Sequence, residues 1–271
     1  MSRIASKVIL ITGASSGLGL AAAQRLHGLG HRVYGASRSS APGATYLALS
    51  MDVDDDGSVQ RGVDEILSRE GRLDAVLNNA GINYAGSIED LTLAEARQQL
   101  ETNFFGAVRV CRAVLPAMRR QGAGLLINVT SIGAQIALPY QGHYTASKLA
   151  LEGMSQSLRM EVRPFGIRVV VVAPGDFRTG FTEHRLRGRQ TARESSYALS
   201  FLRTLAVVER DEQTGLNPER FARLVEQIVG SRNPRPRYVI GPAFERLALA
   251  LKSVLPASWL EAGVRWYYRA G

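Results

Sequence analysis

Two side chains in this sequence have the types and the spacing for proton transfer. Tyr144 and Lys148 lie four residues apart in a stretch with helical periodicity, 143–165. That separation sets both on one face of a helix. A free phenol titrates near 10, too high for a group that gives and takes a proton close to neutrality. A neighbouring ammonium favours the phenolate and draws that value down. The chain has nine tyrosines, and Tyr144 alone has a lysine at the fourth following position. A second pattern is suited to holding an anion. Gly13, Gly17 and Gly19, with Ala14, Ser15, Ser16 and Leu18 between them, sit between an apolar run, 8–12, and a helical pattern, 18–29. Glycines permit a tight reversal and close approach of backbone N–H groups, and the helix start behind them favours negative charge. This strand–loop–helix context predicts a pyrophosphate cradle.

These groups need a frame, and the apolar pattern supplies one. Short apolar runs at 8–12, 32–36, 46–52, 75–78, 125–130, 168–173 and 237–240 predict strands. Between them, 18–29, 58–69, 93–118 and 143–165 have helical spacing, with Gly30 and Gly166 placed as C-terminal caps. Such alternation, with nearly continuous apolar strands, predicts an α/β fold: a Rossmann-type doubly wound parallel β-sheet flanked by helices on both faces. We read 1–271 as a single domain, with 177–216 as a polar, arginine-rich and weakly periodic lid. Asn217 and Pro218 open a further helix, as N-cap and first-turn residue. Residues 241–271 form a C-terminal extension, an apolar helix at 243–255 followed by an aromatic tail.

Composition narrows the classes. An apolar fraction of 45% over 271 residues, without repeats, excludes a disordered or fibrous chain. The lone Cys111 excludes a disulfide framework and a thiolate zinc site, and the four histidines show no ligand spacing, so no metal is expected. The net charge of +9, with three lysines among 33 basic residues, raises the question of nucleic acid. The basic run 184–189 is flanked by Glu183 and Glu194, and no basic stripe interleaved with aromatics is present, so no nucleic-acid partner is expected. Residues 217–271 carry nine basic and four acidic groups, and this excess adjoins the aromatic tail, which suits peripheral membrane contact as well as core capping or a subunit contact. The absence of a leader-like run gives cytoplasmic as the expected location.

At the end of the second strand stand Ser37 and Arg38 and no acid. An acid there would meet the ribose 2′-hydroxyl of NAD, whereas a guanidinium suits the 2′-phosphate of NADP. The expected cofactor is NADP(H) in preference to NAD(H).

The glycine loop, Asn78-Asn79-Ala80-Gly81, Asn103, Ser131, Tyr144 with Lys148, and Pro174-Gly175 occur in that order. In this the chain resembles the short-chain dehydrogenase/reductase (SDR) family, most closely up to about Thr179. The resemblance implies an oxidoreductase acting on CH–OH donors, interconverting an alcohol and a ketone or aldehyde. It makes Tyr144 the acid/base and Ser131 the donor to the substrate oxygen. It gives Lys148 the nicotinamide ribose and the tuning of Tyr144, and Asn103 a water in the proton relay. It places Asp52 and Val53 at the adenine, Asn79, Ala80 and Gly81 on the adenosine side, and Pro174, Gly175 and Thr179 at the nicotinamide. A homodimer or homotetramer is implied as well. The phrase 33–38 and the aromatic C-terminus look like the hydroxysteroid and retinol dehydrogenase branch, which implies a bulky hydrophobic substrate. Small or fatty ketones are the alternative, and a silent NADP-binding sensor with a membrane-associated C-terminus is a further one. Phe181, Tyr197, Leu199, Phe201, Leu202 and Tyr140 are the expected pocket residues. Asp176 departs from the apolar or small residue usual there, and its expected partner is Arg178.

Overall fold

The structure is a computed structural model describing residues 6–39, 43–180, 182–188 and 195–270. A seven-stranded sheet has the order β3-β2-β1-β4-β6-β7-β9, every pairing parallel. Its strands are β1 (Val8–Thr12), β2 (Arg32–Ser37), β3 (Leu47–Ser50), β4 (Ala75–Asn78), β6 (Gly124–Val129), β7 (Ile167–Pro174) and β9 (Arg237–Ile240). A two-stranded parallel pair, β5 (Tyr84–Ala85) with β8 (Leu186–Arg187), stands apart from it.

The near-continuous apolar strands follow from two-sided burial. Successive strand residues point to opposite faces. Val8 and Leu10 of β1 pack with Val59, Val63 and Ile66 of α2 (Asp56–Glu70), Val110 and Val114 of α4 (Gly106–Gln121) and Leu158 of α5 (Gly142–Val162). Ile9 and Ile11 face the other way, onto Ala22 and Leu26 of α1 (Gly17–Gly28) and Phe221, Val225 and Ile228 of α7 (Pro218–Gly230). A strand covered on one face only would alternate. Cys111 is buried in the first of these cores.

The helix ends follow the predicted chemistry where it was specific. Asn217 caps α7 by accepting the Glu219 N–H at 2.9 Å, with Pro218 in the first turn. Thr92 and Glu95, not singled out from the sequence, form a reciprocal capping box at α3 (Leu93–Leu100). Three expectations need correction. The helix expected over 93–118 is broken: α3 ends at Leu100, Glu101–Phe105 forms a π-helical turn, and α4 starts at Gly106. The weakly periodic lid contains a 17-residue helix, α6 (Ala198–Thr214). The apolar helix expected over 243–255 is α8 (Ala243–Leu251), and most of the aromatic tail is α9 (Ala257–Tyr267).

From β1 the chain winds outward to β3, then returns to β4 on the opposite side of β1. The crevice at the carboxyl ends of β1 and β4 is therefore a topological switch point, where such sheets receive ligands.

Candidate active site

A cavity of about 1040 Å³ opens along the carboxyl ends of the strands. Ligand sites commonly span roughly 300–1,000 Å³, so this volume suits a dinucleotide with a second molecule beside it. At one end lie Gly13, Ser15, Ser16, Gly17 and Leu18, then Ser37, Arg38, Asp52 and Val53. The middle is formed by Asn79, Ala80, Gly81, Ser131, Tyr144, Lys148, Pro174, Gly175 and Thr179. Residues from strand ends far apart in sequence thus meet along one groove.

The glycine loop has the shape that its composition predicts. Gly13 and Gly17 have φ of +66° and +55°. A Cβ on Gly13 would lie 2.9 Å from the Ala80 Cα, and one on Gly19 would lie 2.2 Å from the Gly13 carbonyl oxygen. Gly19 does not line the groove but lets α1 pack on the loop. Thr12, not singled out from the sequence, organises the junction. Its Oγ1 accepts the N–H groups of Asn79 and Ala80 at 3.0 and 3.1 Å. Asn79 Nδ2 in turn donates to the carbonyls of Thr12 and Gly13, both at 3.1 Å. The first N–H groups of α1 have no partner within their own helix and face this cradle. Its shape fits a pyrophosphate, and the groove beyond it fits an adenosine near Arg38 and Asp52.

Ser131 follows β6. Its Oγ accepts the Gly133 N–H at 2.9 Å and is hydrogen-bonded to the Tyr144 hydroxyl. Thr145 donates to the Gly133 carbonyl at 2.9 Å, tying the Ser131 turn to α5. Lys148 is buried, with Nζ donating to the Val129 carbonyl at 3.1 Å and lying 5.8 Å from the centre of the Tyr144 ring.

The electrostatics differ from the expectation. Burial pushes the Tyr144 phenol up to about 12, opposed by the Ser131 hydrogen bond. Glu212 and Asp176 raise it further, and Arg185 lowers it. Burial also draws Lys148 down to about 8, so the depression of Tyr144 expected from an ammonium is not what this site shows. Desolvation sets the direction of both shifts.

Asn103 lies in the π-helical turn and is buried. Its Nδ2 donates to the Ile82 carbonyl and to Ser147 Oγ, each at 3.0 Å, and its Oδ1 accepts the Ile82 N–H at 2.8 Å. Both amide hydrogens are therefore committed to holding the segment after β4 against α5.

Asp176 does not take Arg178 as its partner. It faces Glu245 of α8, whose carboxylate accepts the Asp176 N–H at 3.2 and 3.3 Å. Burial holds the Asp176 carboxyl well above the usual carboxylate range, and Glu245 adds to the shift. The folded chain thus keeps a proton that the unfolded chain releases above about pH 4. Stability from this site is complete below that pH and falls as pH rises towards the folded value. Asp176→Asn is expected to raise the Tm at pH 8 by about 2–4 °C, on the order of 1 kcal/mol, with no gain near pH 4. Thermal melts at the two pH values test this, and a gain equal at both would refute it.

The described residues among those expected to form the pocket, Tyr140, Tyr197, Leu199, Phe201 and Leu202, do not line the cavity. Phe201 packs against Tyr140, with ring centres 5.5 Å apart, and against Ala85 and Leu205. Tyr197, Leu199 and Leu202 are exposed, and Phe181 lies outside the described residues. The apolar wall comes instead from Ile136, Leu138 and Val208, and above all from α8 through Ala248 and Leu251, from α9 through Leu260 and Val264, and from Leu255 and Tyr268 beside them. The lid contributes Val208 together with polar groups. Arg185 is ion-paired with Glu212 of α6, and Glu212 faces the cavity.

The fold and this groove define an enzyme of the dinucleotide-binding α/β class. A family model described as short chain dehydrogenase matches residues 7–190, and the chain belongs to that family. It is an oxidoreductase of a family that uses a nicotinamide cofactor. It is 43% identical over 263 residues to a 3-ketodihydrosphingosine reductase of Bacteroides thetaiotaomicron, covering 97% of this chain and 98% of that one. A short-chain dehydrogenase from Streptomyces avermitilis superposes with a TM-score of 0.82 at 29% identity, over 98% of this chain and 97% of that one. A 3-ketoacyl-(acyl-carrier-protein) reductase from Brucella melitensis, solved with NADH, gives 0.71 at 25% identity over 86% and 96%.

Proposed function

We propose that the protein is an NADP(H)-dependent reductase of long-chain ketones, with a 3-keto sphingoid base as the best-fitting substrate type. The observation that carries this reading is the hydrogen-bonded pair of Tyr144 and Ser131 at the foot of a chamber whose far wall is apolar. Bound in the groove, the nicotinamide supplies the hydride. Tyr144 gives its hydroxyl proton to the carbonyl oxygen, and Ser131 hydrogen-bonds the same oxygen as negative charge develops there. A phenol pushed up to about 12 stays protonated across the neutral range, as a proton donor for reduction requires. Lys148, fixed beside the Tyr144 ring, is positioned for the nicotinamide ribose.

The substrate class rests on the shape and lining of the chamber. A wall of leucine, valine and aromatic side chains from two short helices suits an alkyl chain. Glu245, set against the protonated Asp176, suits a cationic head beside the ketone. The Bacteroides relative, a 3-ketodihydrosphingosine reductase, acts on a ketone with both features. Arg38 follows β2, whose last residues include no acid, and supports the phosphorylated cofactor.

The test is NADPH oxidation over 3-ketodihydrosphingosine, a ketone of equal length without the amine, a short alkanone and a 3-ketosteroid. We expect kcat/KM for the first to exceed that for the steroid and the alkanone by at least about tenfold, and NADPH to bind at least about tenfold tighter than NADH, each about 1.4 kcal/mol. Preference for the steroid would overturn the substrate reading. Equal affinity for the two cofactors would remove the argument from Arg38.

A further inference from the structure

The inner stripes of α8 and α9 line the chamber, but their outer side chains have no covering. On α8, Phe244, Ala248 and Leu251, continued by Leu255, recur at helical spacing along the cavity. On α9, Trp259, Leu260, Gly263, Val264 and Tyr267 do the same. Outside these stripes, Leu247 is 60% exposed, Val254 74% and Trp266 82%. Phe244, Leu251 and Trp259 belong to both sets, since they line the cavity and are also exposed, Trp259 at 70%. They form the rim of its apolar end. Around them Arg246, Lys252, Arg265 and Arg269 are exposed, against one exposed acid, Glu261, because Glu245 is turned in to Asp176. No described helix is long and apolar enough to cross a membrane.

We propose that α8 and α9 seat on an anionic lipid surface, and that the apolar end of the chamber opens onto it to take its substrate from the lipid. The charge balance selects the occupant. Four cations beside exposed tryptophan, leucine and valine suit an anionic interface, where aromatic rings and long basic side chains each keep one end wet. Polar tips and apolar bodies would lie in the plane of the surface, as short helices that do not span require. A second copy seated on this face would instead block the rim formed by Phe244, Leu251 and Trp259. The use of the rim as a substrate entrance rests on the long-chain reading above, whereas the docking itself does not.

The chain's two tryptophans, Trp259 and Trp266, both lie in α9, so intrinsic emission reports this face alone. The full-length protein should cosediment with vesicles of phosphatidylcholine and phosphatidylglycerol roughly tenfold more tightly than with phosphatidylcholine alone. Its emission should shift to the blue on binding. The double variant Val254→Glu with Trp266→Glu, which alters exposed side chains outside the cavity lining, should lose vesicle binding at least about tenfold. Its turnover of detergent-dispersed ketone should stay unchanged while turnover of vesicle-embedded ketone falls. Absence of cosedimentation by the unaltered protein overturns the docking. So does a lipid-free dimer that the double variant dissociates, since a second copy then holds the face. Vesicle binding without turnover of any long-chain ketone supports the docking and overturns the substrate reading, so the two failures are distinguishable.

Discussion

Replacing Tyr144 by phenylalanine is expected to cut turnover by about 10²–10⁴-fold while cofactor affinity changes little. The substitution removes one hydroxyl and keeps the ring beside Lys148, so the groove retains its shape. What disappears is the hydroxyl hydrogen-bonded to Ser131. A phenol pushed up to about 12 gives up its proton readily to an atom that becomes strongly basic, such as a carbonyl oxygen accepting a hydride. Stopped-flow turnover beside fluorescence titration of the dinucleotide makes the comparison. Activity within a few-fold of the unaltered enzyme, with an unchanged melting temperature, would remove Tyr144 from the chemistry.

Gly19→Ala is the second change with a large expected effect, and it acts through packing. The added methyl would lie 2.2 Å from the Gly13 carbonyl oxygen and 2.6 Å from Asn79 Nδ2. Neither neighbour is the loose end of a flexible side chain. Gly13 is backbone at the tight turn, and Asn79 is held by the Thr12 and Gly13 carbonyls. Relief of the clash must open the cradle and break those bonds. We expect a stability loss of about 1–3 kcal/mol and a fall of more than about tenfold in dinucleotide affinity. Gly28→Ala is the matched control, since nothing lies within 4 Å of its added methyl. It should bind cofactor normally. A Gly19→Ala protein with normal affinity would show that the loop does not hold the dinucleotide as described.

The parts of this protein that could be read in its sequence are those with local causes. The strands are legible because burial on both faces leaves uninterrupted apolar runs. The glycine loop is legible because positive φ and close backbone approach restrict the residue type. Helix α6 was not, although its inward positions 201, 204, 205, 208 and 211 recur at helical spacing. Thr204 and Asp211 occupy two of them, and buried polar groups erase the apolar signal. The π-helical turn at Glu101–Phe105 leaves no such trace, since one extra residue per turn changes register without changing composition. Asp176 was recognised as unusual, but its partner Glu245 lies 69 residues away and was out of reach of any local pattern. The apolar wall was assigned to the lid because aromatics are conspicuous there. The structure gives it to α8 and α9, whose alternate faces line the chamber and meet solvent. The rise of the Tyr144 phenol has the same origin, because desolvation depends on the whole enclosure and not on the neighbour four residues along.

The two ends of the lid are tied together at its base. Phe177 and Leu216 form a parallel bridge, the Arg178 N–H donates to the Leu216 carbonyl, and the Leu216 N–H donates to the Asp176 carbonyl, both at 2.9 Å. The segment between them therefore leaves the sheet and returns to the same point, while β7 and α7 on either side stay anchored in the core. Ring closure is already made at that base, and lengthening a closed loop adds little entropy cost. The lid is thus an exchangeable cassette. Its length can change between the tied ends while the strands and the glycine loop that hold the dinucleotide groove keep their geometry.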